Sequence, residues 1–427
     1  MGPDVGRHPC VRPDHGFRRA PGGGILRRIL PLVRNLEIPK RWAPPLLSGR
    51  QFPRWSTLFC VIGAVALPSA VQAQFDPPPR DSLRDDSYFY HALPGSDSYA
   101  GPLDVLLNKG FNFAQAENRT RAIFDVHYST SHVWNSLAHP FQSIDNTGGF
   151  GKWVKKEILP IQAFNWIKSG FRWDETENMT WYPNYMGHFI EGGITSRRLA
   201  EKFRAEGVPY ASTLAGMTTM MTAMVNEAYT HQEIDQGTGG TVADLYVFDL
   251  GGVLVFTLDP VANFFANKLH AQVWPSQASL TAPNWNIANN ANNLVFKFPL
   301  PFTDRFSIFW RTAIGSHLGL TTHLADGYDL SFGFGADASR QNLDPVTGRE
   351  SVDIRLSSSL YLDRGGSVLA SIHWSEVDHR LLAVNVYPGV FSRDFGAWVN
   401  IDQNLSFQFG ISHRLALGLG LGMAVDN

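Results

Sequence analysis

Cysteine is almost absent from this sequence: of 427 residues only Cys10 and Cys60 are cysteines, and both fall within the first 73. Beyond them there is no thiol to form a disulfide staple or a cysteine-ligated zinc site. Phe59 before Cys60 is not the small residue that precedes a lipoprotein cysteine, which argues against a lipid anchor there. Charge is also sparse, at 17%. Long apolar runs are missing. The strongest, Thr57 to Leu67, is too short to cross a bilayer as a helix, and the later apolar stretch from Val242 to Leu258 is interrupted by Asp244 and Asp249. No HExxH, GxSxG, P-loop or dinucleotide glycine fingerprint occurs, which removes the commonest enzyme classes with a sequence signature.

Arg50 and Arg54, the apolar run, and Pro68-Ser69-Ala70-Val71-Gln72-Ala73 have the layout of a secretory signal, with cleavage expected after Ala73. About fifty residues rich in Arg, Pro and Gly precede it, either an over-long reading frame or a basic extension. Without residues 1–73 the chain keeps 25 basic against 35 acidic side chains, about −10. That balance disfavours nucleic acid as a partner. Export of a large, thiol-free chain points to a bacterial envelope.

Four regions follow: the extension and signal (1–73), a Pro/Asp/Ser-rich tether or plug-like segment (74–120), a helical module with a possible first strand (121–288), and a β region (289–427). Phe124, Val126 and Tyr128 alternate with Asp125 and His127, as a strand does. Trp153 to Ile167 mixes aromatics with Lys152, Lys155 and Lys156 and reads as amphipathic turns broken at Pro160, at a membrane boundary or over a protein core. Helices are expected over Gly187–Glu206, Ala211–Tyr229 and Val242–Leu258, the second rich in small residues that let helices approach closely.

After Asn289 the period changes to two. Leu294, Phe296 and Phe298 alternate with other positions, as do Phe306, Ile308 and Trp310, then Leu330, Phe332 and Phe334, and the pattern continues to Leu415, Leu417, Leu419 and Leu421. The intervening positions are polar or small. Asp363-Arg364-Gly365-Gly366 marks a tight hairpin and Asp337–Arg349 a longer loop. Segments of about ten residues with one apolar and one polar face are the signature of a transmembrane β-barrel. The expected fold is therefore α+β: a helical module followed by an antiparallel outer-membrane β-barrel of roughly 8–12 strands. A soluble exported β-sandwich binding protein would show the same alternation with its apolar side turned to a core.

Asn184, Tyr185 and His188, then Glu227, then Asp244-Leu245 ahead of Gly251-Gly252, resemble an uncharacterised bacterial envelope family, a domain of unknown function with an Asn-Tyr-x-x-His, Glu, Asp-Leu, Gly-Gly helical core and a β-rich C-terminus. A more distant similarity is to VanZ-like membrane proteins. The resemblance implies an envelope location and no particular activity.

His188, Glu227 and Asp244 are acid, base and ligand types on separate helices. Converging, they suit proton transfer on a lipid or glycan, with Asp244 orienting His188, or a divalent ion with an open position. The third reading, which the missing fingerprints favour, is a buried hydrogen-bonded network that fixes helix register. Neither a cofactor nor a resident metal is expected. Gly251 and Gly252 read as a close helix contact. Arg197, Arg198, Lys202 and Arg204 form a basic run suited to anionic lipid headgroups or to a solvated helix face. His132, His139 and His231 read as solvated loop histidines. The membrane is the expected partner, in a structural or transport-related role.

Overall fold

A computed structural model describes residues 87–115, 128–159, 180–231, 235–282, 285–343, 350–376, 380–414 and 420–425, which fall in one compact unit spanning Ala64–Asn427. The signal and extension, the tether up to Asp86, the expected strand at 121–127 and the turns at 160–167 lie outside the described residues.

The helical half opens with α1 (Pro102–Val105), which continues as a π-helical turn over Leu106–Gly110. Next come α2 (Thr130–Ala138), α3 (Pro140–Asn146) and α4 (Phe150–Trp153), the last running into a π turn at Val154–Ile158. A π-helical stretch, Thr180–Glu191, leads into α5 (Gly192–Ala205), and Gly207, with φ +75°, ends it. In α6 (Ala211–Thr230), Ala215, Thr219, Thr222 and Ala223 are buried on one side, while Leu214, Met217 and Met221 are exposed on the other. Small side chains let this helix sit close to α5. α7 (Gly239–Val242), a π turn at Ala243–Asp249 and α8 (Leu250–Val255) form one apolar rod. α9 (Asp259–Asn263) and a π turn at Phe264–Lys268 close the module. Among the described residues no single helix is long and apolar enough to cross a membrane, although the bent pair Gly239–Val255 and Asp259–Lys268 would be by length and composition.

Among the described residues the β half holds thirteen strands: β1 (Gln272–Pro275), β2 (Ser279–Ala282), β3 (Asn286–Ala288), β4 (Asn292–Pro299), β5 (Phe306–Thr312), β6 (Gly315–His323), β7 (Tyr328–Leu343), β8 (Glu350–Arg364), β9 (Ser367–Ser375), β10 (Leu382–Val386), β11 (Phe395–Ile401), β12 (Phe407–His413) and β13 (Gly420–Val425). They form one sheet in the order β1-β4-β5-β6-β7-β8-β9-β10-β11-β12-β13-β2-β3. All pairs are antiparallel except β13 with β2. The sheet begins at Gln272, ahead of the expected boundary at 289, because β1, β2 and β3 are too short to show a period. The first part of the loop expected at Asp337–Arg349 is strand: β7 runs on to Leu343 past a bulge at Ala338/Arg340 and pairs with β8 from Glu350, while 344–349 lie outside the described residues. Gly365 and Gly366 both have positive φ, as a type I′ hairpin requires. No ladder joins β1 to β3 among the described residues, so the pairing is that of a large mixed sheet rather than of a closed, fully antiparallel barrel. The chain nonetheless makes β1–β2 and β3–β4 two interrupted strands, and the Ser276 N–H bonds Ala291 O where both are interrupted.

Register carries one face across the whole sheet. Phe296 pairs with Trp310, Trp310 with Leu318, Leu318 with Phe334, and Phe332 with Leu360; the row continues through Ile372, Val384, Val399, Phe409 and Met423. Much of this apolar face is open: Leu318 is 62% exposed, Phe332 52% and Leu421 60%. The opposite face is buried and polar, with Lys297, Ser307, Arg311, His317, Thr321, Ser331, Asp337, Ser357, Ser359, Asp363, Asn385, Asn400 and Ser412 all inside.

The helical module covers the apolar face at β1, β4 and β5, where Ile194, Phe256, Phe189 and Phe265 pack on Val273, Leu294, Phe296 and Trp310, and at β2 and β3, where Leu107, Phe111 and Tyr229 cluster with Leu280 and Ile287. From Ser87 onward the segment ahead of α1 is held against the fold. Glu201 on α5 accepts the backbone N–H groups of Tyr88, Phe89 and Tyr90, and Tyr99 reaches the polar side of the sheet, packing on Trp274, Val295, Phe309 and Tyr361 and bonding Ser412.

Candidate functional site

Three helices bring His188, Glu227 and Asp244 together in the core of the helical module, with one ligand-type atom from each lying within 4.8 Å of the others. His188 comes from the π stretch before α5, Glu227 from α6, and Asp244 from the π turn after α7. A π turn brings residues five apart onto one face, which places Asp249 below Asp244 and against the same histidine. Asp249 was not expected at the site. It accepts the His188 Nδ1 hydrogen bond at 2.8 Å, and its spacing from Asp244 is legible only once the π geometry is known. His188 Nε2 faces Glu227 Oε1 at 4.0 Å.

Each member has an outer partner. The Thr241 hydroxyl donates to Glu227 Oε2 at 2.9 Å, and the Asn184 amide to Asp244 Oδ1 at 3.3 Å. Lys109 sits beside Glu191 and Asp249 at 3.8 and 4.0 Å and donates to Gly187 O at 3.2 Å. Asn292 on β4 donates to Glu191, tying the cluster to the sheet. Tyr185, stacked on Phe248, donates to Glu157 at 2.8 Å. Gly252, as expected, is a close-packing point: a Cβ there would overlap Phe189 O, whereas one at Gly251 meets only the Phe189 ring at 3.3 Å.

The electrostatics follow from burial. Burial opposes a charge on His188, but the Asp249 and Asp244 carboxyls outweigh it and push the imidazole up to about 10. Asp244 is held well above the usual carboxylate range, by burial first and then by Glu227 and Asp249, with His188 opposing. Glu191 is raised by burial as well, against Lys109 and Asn292. Among the described residues these side chains are enclosed: His188 is only 7% exposed, Asp244 6% and Glu227 3%.

The basic run is a correction. Arg197 and Arg198 are buried, not directed at headgroups: Arg197 bonds Glu201 and Asp259 at 2.9 and 2.7 Å, and Arg198 bonds Asp97 and Ser96 O at 3.0 Å. Lys202 pairs with Glu206 at 3.5 Å, and Arg204 bonds Ala200 O at 3.3 Å. The run lies on the face that holds the N-terminal segment, and residue type alone does not say which way a helix face turns. His132 is likewise buried, its ring nitrogens 2.7 Å from Gln236 O and Thr241 Oγ1, and it stacks on His231.

A second polar cluster lies on the inner face of the sheet. Asp337 on β7 accepts from His373 on β9 at 2.6 Å and from Arg311 on β5 at 3.3 Å. His317 on β6 sits 2.6 Å from both Ser357 and Ser359 on β8. The alternation marked Ser357, Ser359 and His373 as polar positions between apolar ones, whereas Asp337 was expected to open a loop, and nothing in the sequence showed that residues 62 apart would meet.

Compared with known protein families, curated proteins and solved structures, the chain matches none.

Proposed function

We propose that this chain is a membrane-embedded β-barrel of the bacterial outer envelope whose role is to anchor the helical module at the membrane. The observation that carries this is the inverted polarity of the sheet. Its apolar face is exposed on β5 to β8 and on β12 and β13 and half-buried on β9 to β11, whereas its polar and charged face is buried. A soluble sandwich places these faces the other way round, whereas a barrel in lipid turns apolar side chains outward and polar ones inward.

Contacts across the inner face support the barrel reading. Trp398 on β11 donates to Ser279 on β2 at 2.7 Å. Asn385 on β10 accepts from Asn289, between β3 and β4, at 2.6 Å, and Tyr387 donates to Pro275 O on β1 at 3.2 Å. These draw both ends of the strand order toward its middle, as curling into a barrel does. Across the interior, Lys297, Asp363 and Asp329 form one ionic cluster and Arg311, His317, Asp337 and His373 another. A crossed, hydrogen-bonded interior favours an anchor over an open pore.

The test is heat-modifiable migration of the full chain in detergent, boiled beside unboiled, together with carbonate extraction of membranes. A compact unboiled band and a carbonate-resistant pellet are expected. A soluble protein with a single migration position overturns the reading.

A further inference from the structure

We propose that His188, Glu227 and Asp244 bind one borderline divalent metal ion of the zinc(II), manganese(II) or iron(II) class, with Asp249 as the positioning residue behind the histidine.

The argument rests on how the cluster is built. A metal-bound imidazole usually gives its other N–H to a carboxylate, which sets the tautomer and aims the free nitrogen. His188 has this arrangement: Nδ1 is held by Asp249 at 2.8 Å, and Nε2 is directed at Glu227 Oε1, 4.0 Å away and too far for a hydrogen bond. The carboxylate ligands have outer partners as well, Thr241 for Glu227 and Asn184 for Asp244. Bonds of about 2.1 Å in a tetrahedral set separate ligand atoms by about 3.4 Å. The three atoms here, within 4.8 Å of one another, come into range with side-chain shifts on the order of 1 Å.

Charge points the same way. Among the described residues, the carboxyl groups of Asp244, Asp249, Glu227 and Glu191 are buried beside Lys109, His188 and, 3.5 Å from Glu227, His231. Asp249 Oδ1 has no hydrogen-bond partner, and Lys109 stands off at 4.0 Å. A divalent ion would offset this surplus of carboxylate. One imidazole with two carboxylates suits a borderline ion better than calcium or magnesium, which prefer oxygen alone.

The other candidate clusters lack this geometry. His132 has both ring nitrogens engaged at 2.7 Å, and beside His317 and Asp337 stands the Arg311 guanidinium, which repels a cation.

The experiment is titration of the detergent-solubilised full chain, stripped with a chelator, with zinc(II) and with manganese(II), read by calorimetry and metal analysis. One ion per chain is expected. Glu227→Gln and Asp244→Asn, which keep side-chain shape, should each weaken binding by 100-fold or more, and Asp249→Asn by about 10–100-fold. Heat-modifiable migration and circular dichroism identify the variants that fold, and His373→Ala should bind as the parent does. If the folded parent takes up neither ion, or if Glu227→Gln and Asp244→Asn bind as tightly as the parent, the proposal fails. It also fails if His373→Ala alone abolishes binding. The metal titration itself does not depend on the chain's being a membrane barrel, because circular dichroism alone identifies folded variants if no heat-modifiable band is seen.

Discussion

Lys297 Nζ on β4 lies 2.7 Å from Asp363 Oδ1 on β8, although three strands separate β4 from β8 in the sheet. At about 4.8 Å per strand the two would stand about 19 Å apart in a flat sheet, further than the two side chains together reach. The bond exists because the sheet curls, and Asp329 joins it at 2.9 Å. Lys297→Ala leaves the fully buried Asp363 without its cation, a change that costs about 3–5 kcal/mol. The urea midpoint for loss of the compact unboiled band should fall, and Lys297→Ala with Asp363→Asn should recover part of the loss.

Leu320, near the middle of β6, is 52% exposed on the apolar face. In lipid, Arg on the outward face of a barrel costs about 2–4 kcal/mol near the midplane. In water a replacement on an exposed surface stays within about 0.5 kcal/mol. Leu320→Arg should therefore depress folding into lipid vesicles, measured as the folded fraction against urea. An unchanged folded fraction would remove lipid from that face.

Gly252→Ala should destabilise by about 1–3 kcal/mol, because the added methyl meets the Phe189 carbonyl where the α8 backbone presses against the stretch leading into α5. Gly251→Ala, one residue away, meets only the edge of the Phe189 ring at 3.3 Å, which a small shift of that ring relieves, so its cost should be smaller, within about 1 kcal/mol of the parent once helix propensity is counted. Thermal unfolding of the two variants side by side checks the contrast.

Asp104 on α1 is buried, and burial raises its carboxyl to about 7, against the Gly101 N–H and the more distant Lys202 and Arg198. Because the folded value lies above the unfolded one, the native state holds the proton more tightly. Stability from this group is full below pH 4 and lost as pH rises toward 7. The loss is on the order of 2–4 kcal/mol. Asp104→Asn should remove that slope, so urea midpoints of parent and variant should converge at pH 4 and separate at pH 8, the variant being the more stable.

Much of the sheet was legible in the sequence. Period-two alternation marks β4, β5, β7 to β10 and β12 clearly and β6 and β11 weakly, most of the last run, Leu415–Leu421, lies outside the described residues, and Gly365-Gly366 marks the β8–β9 hairpin. β1 to β3 were not legible, because three or four residues hold no full period. At the site, His188, Glu227 and Asp244 stood out as ionisable groups among apolar residues. Asp249 did not, since its spacing from Asp244 reads as the wrong face of an α-helix and becomes the right face only on a π turn.

The sequence by itself determined that one face of each long strand is apolar and the other polar, and that a few charged groups sit in apolar helices. Those are local properties of residue order. Only the tertiary structure decided that the apolar face is the open one, that Arg197 and Arg198 turn inward, and which distant residues close on His188 and Lys297. Those outcomes depend on sheet curl and helix docking, which join residues tens of positions apart and leave no periodic mark along the chain.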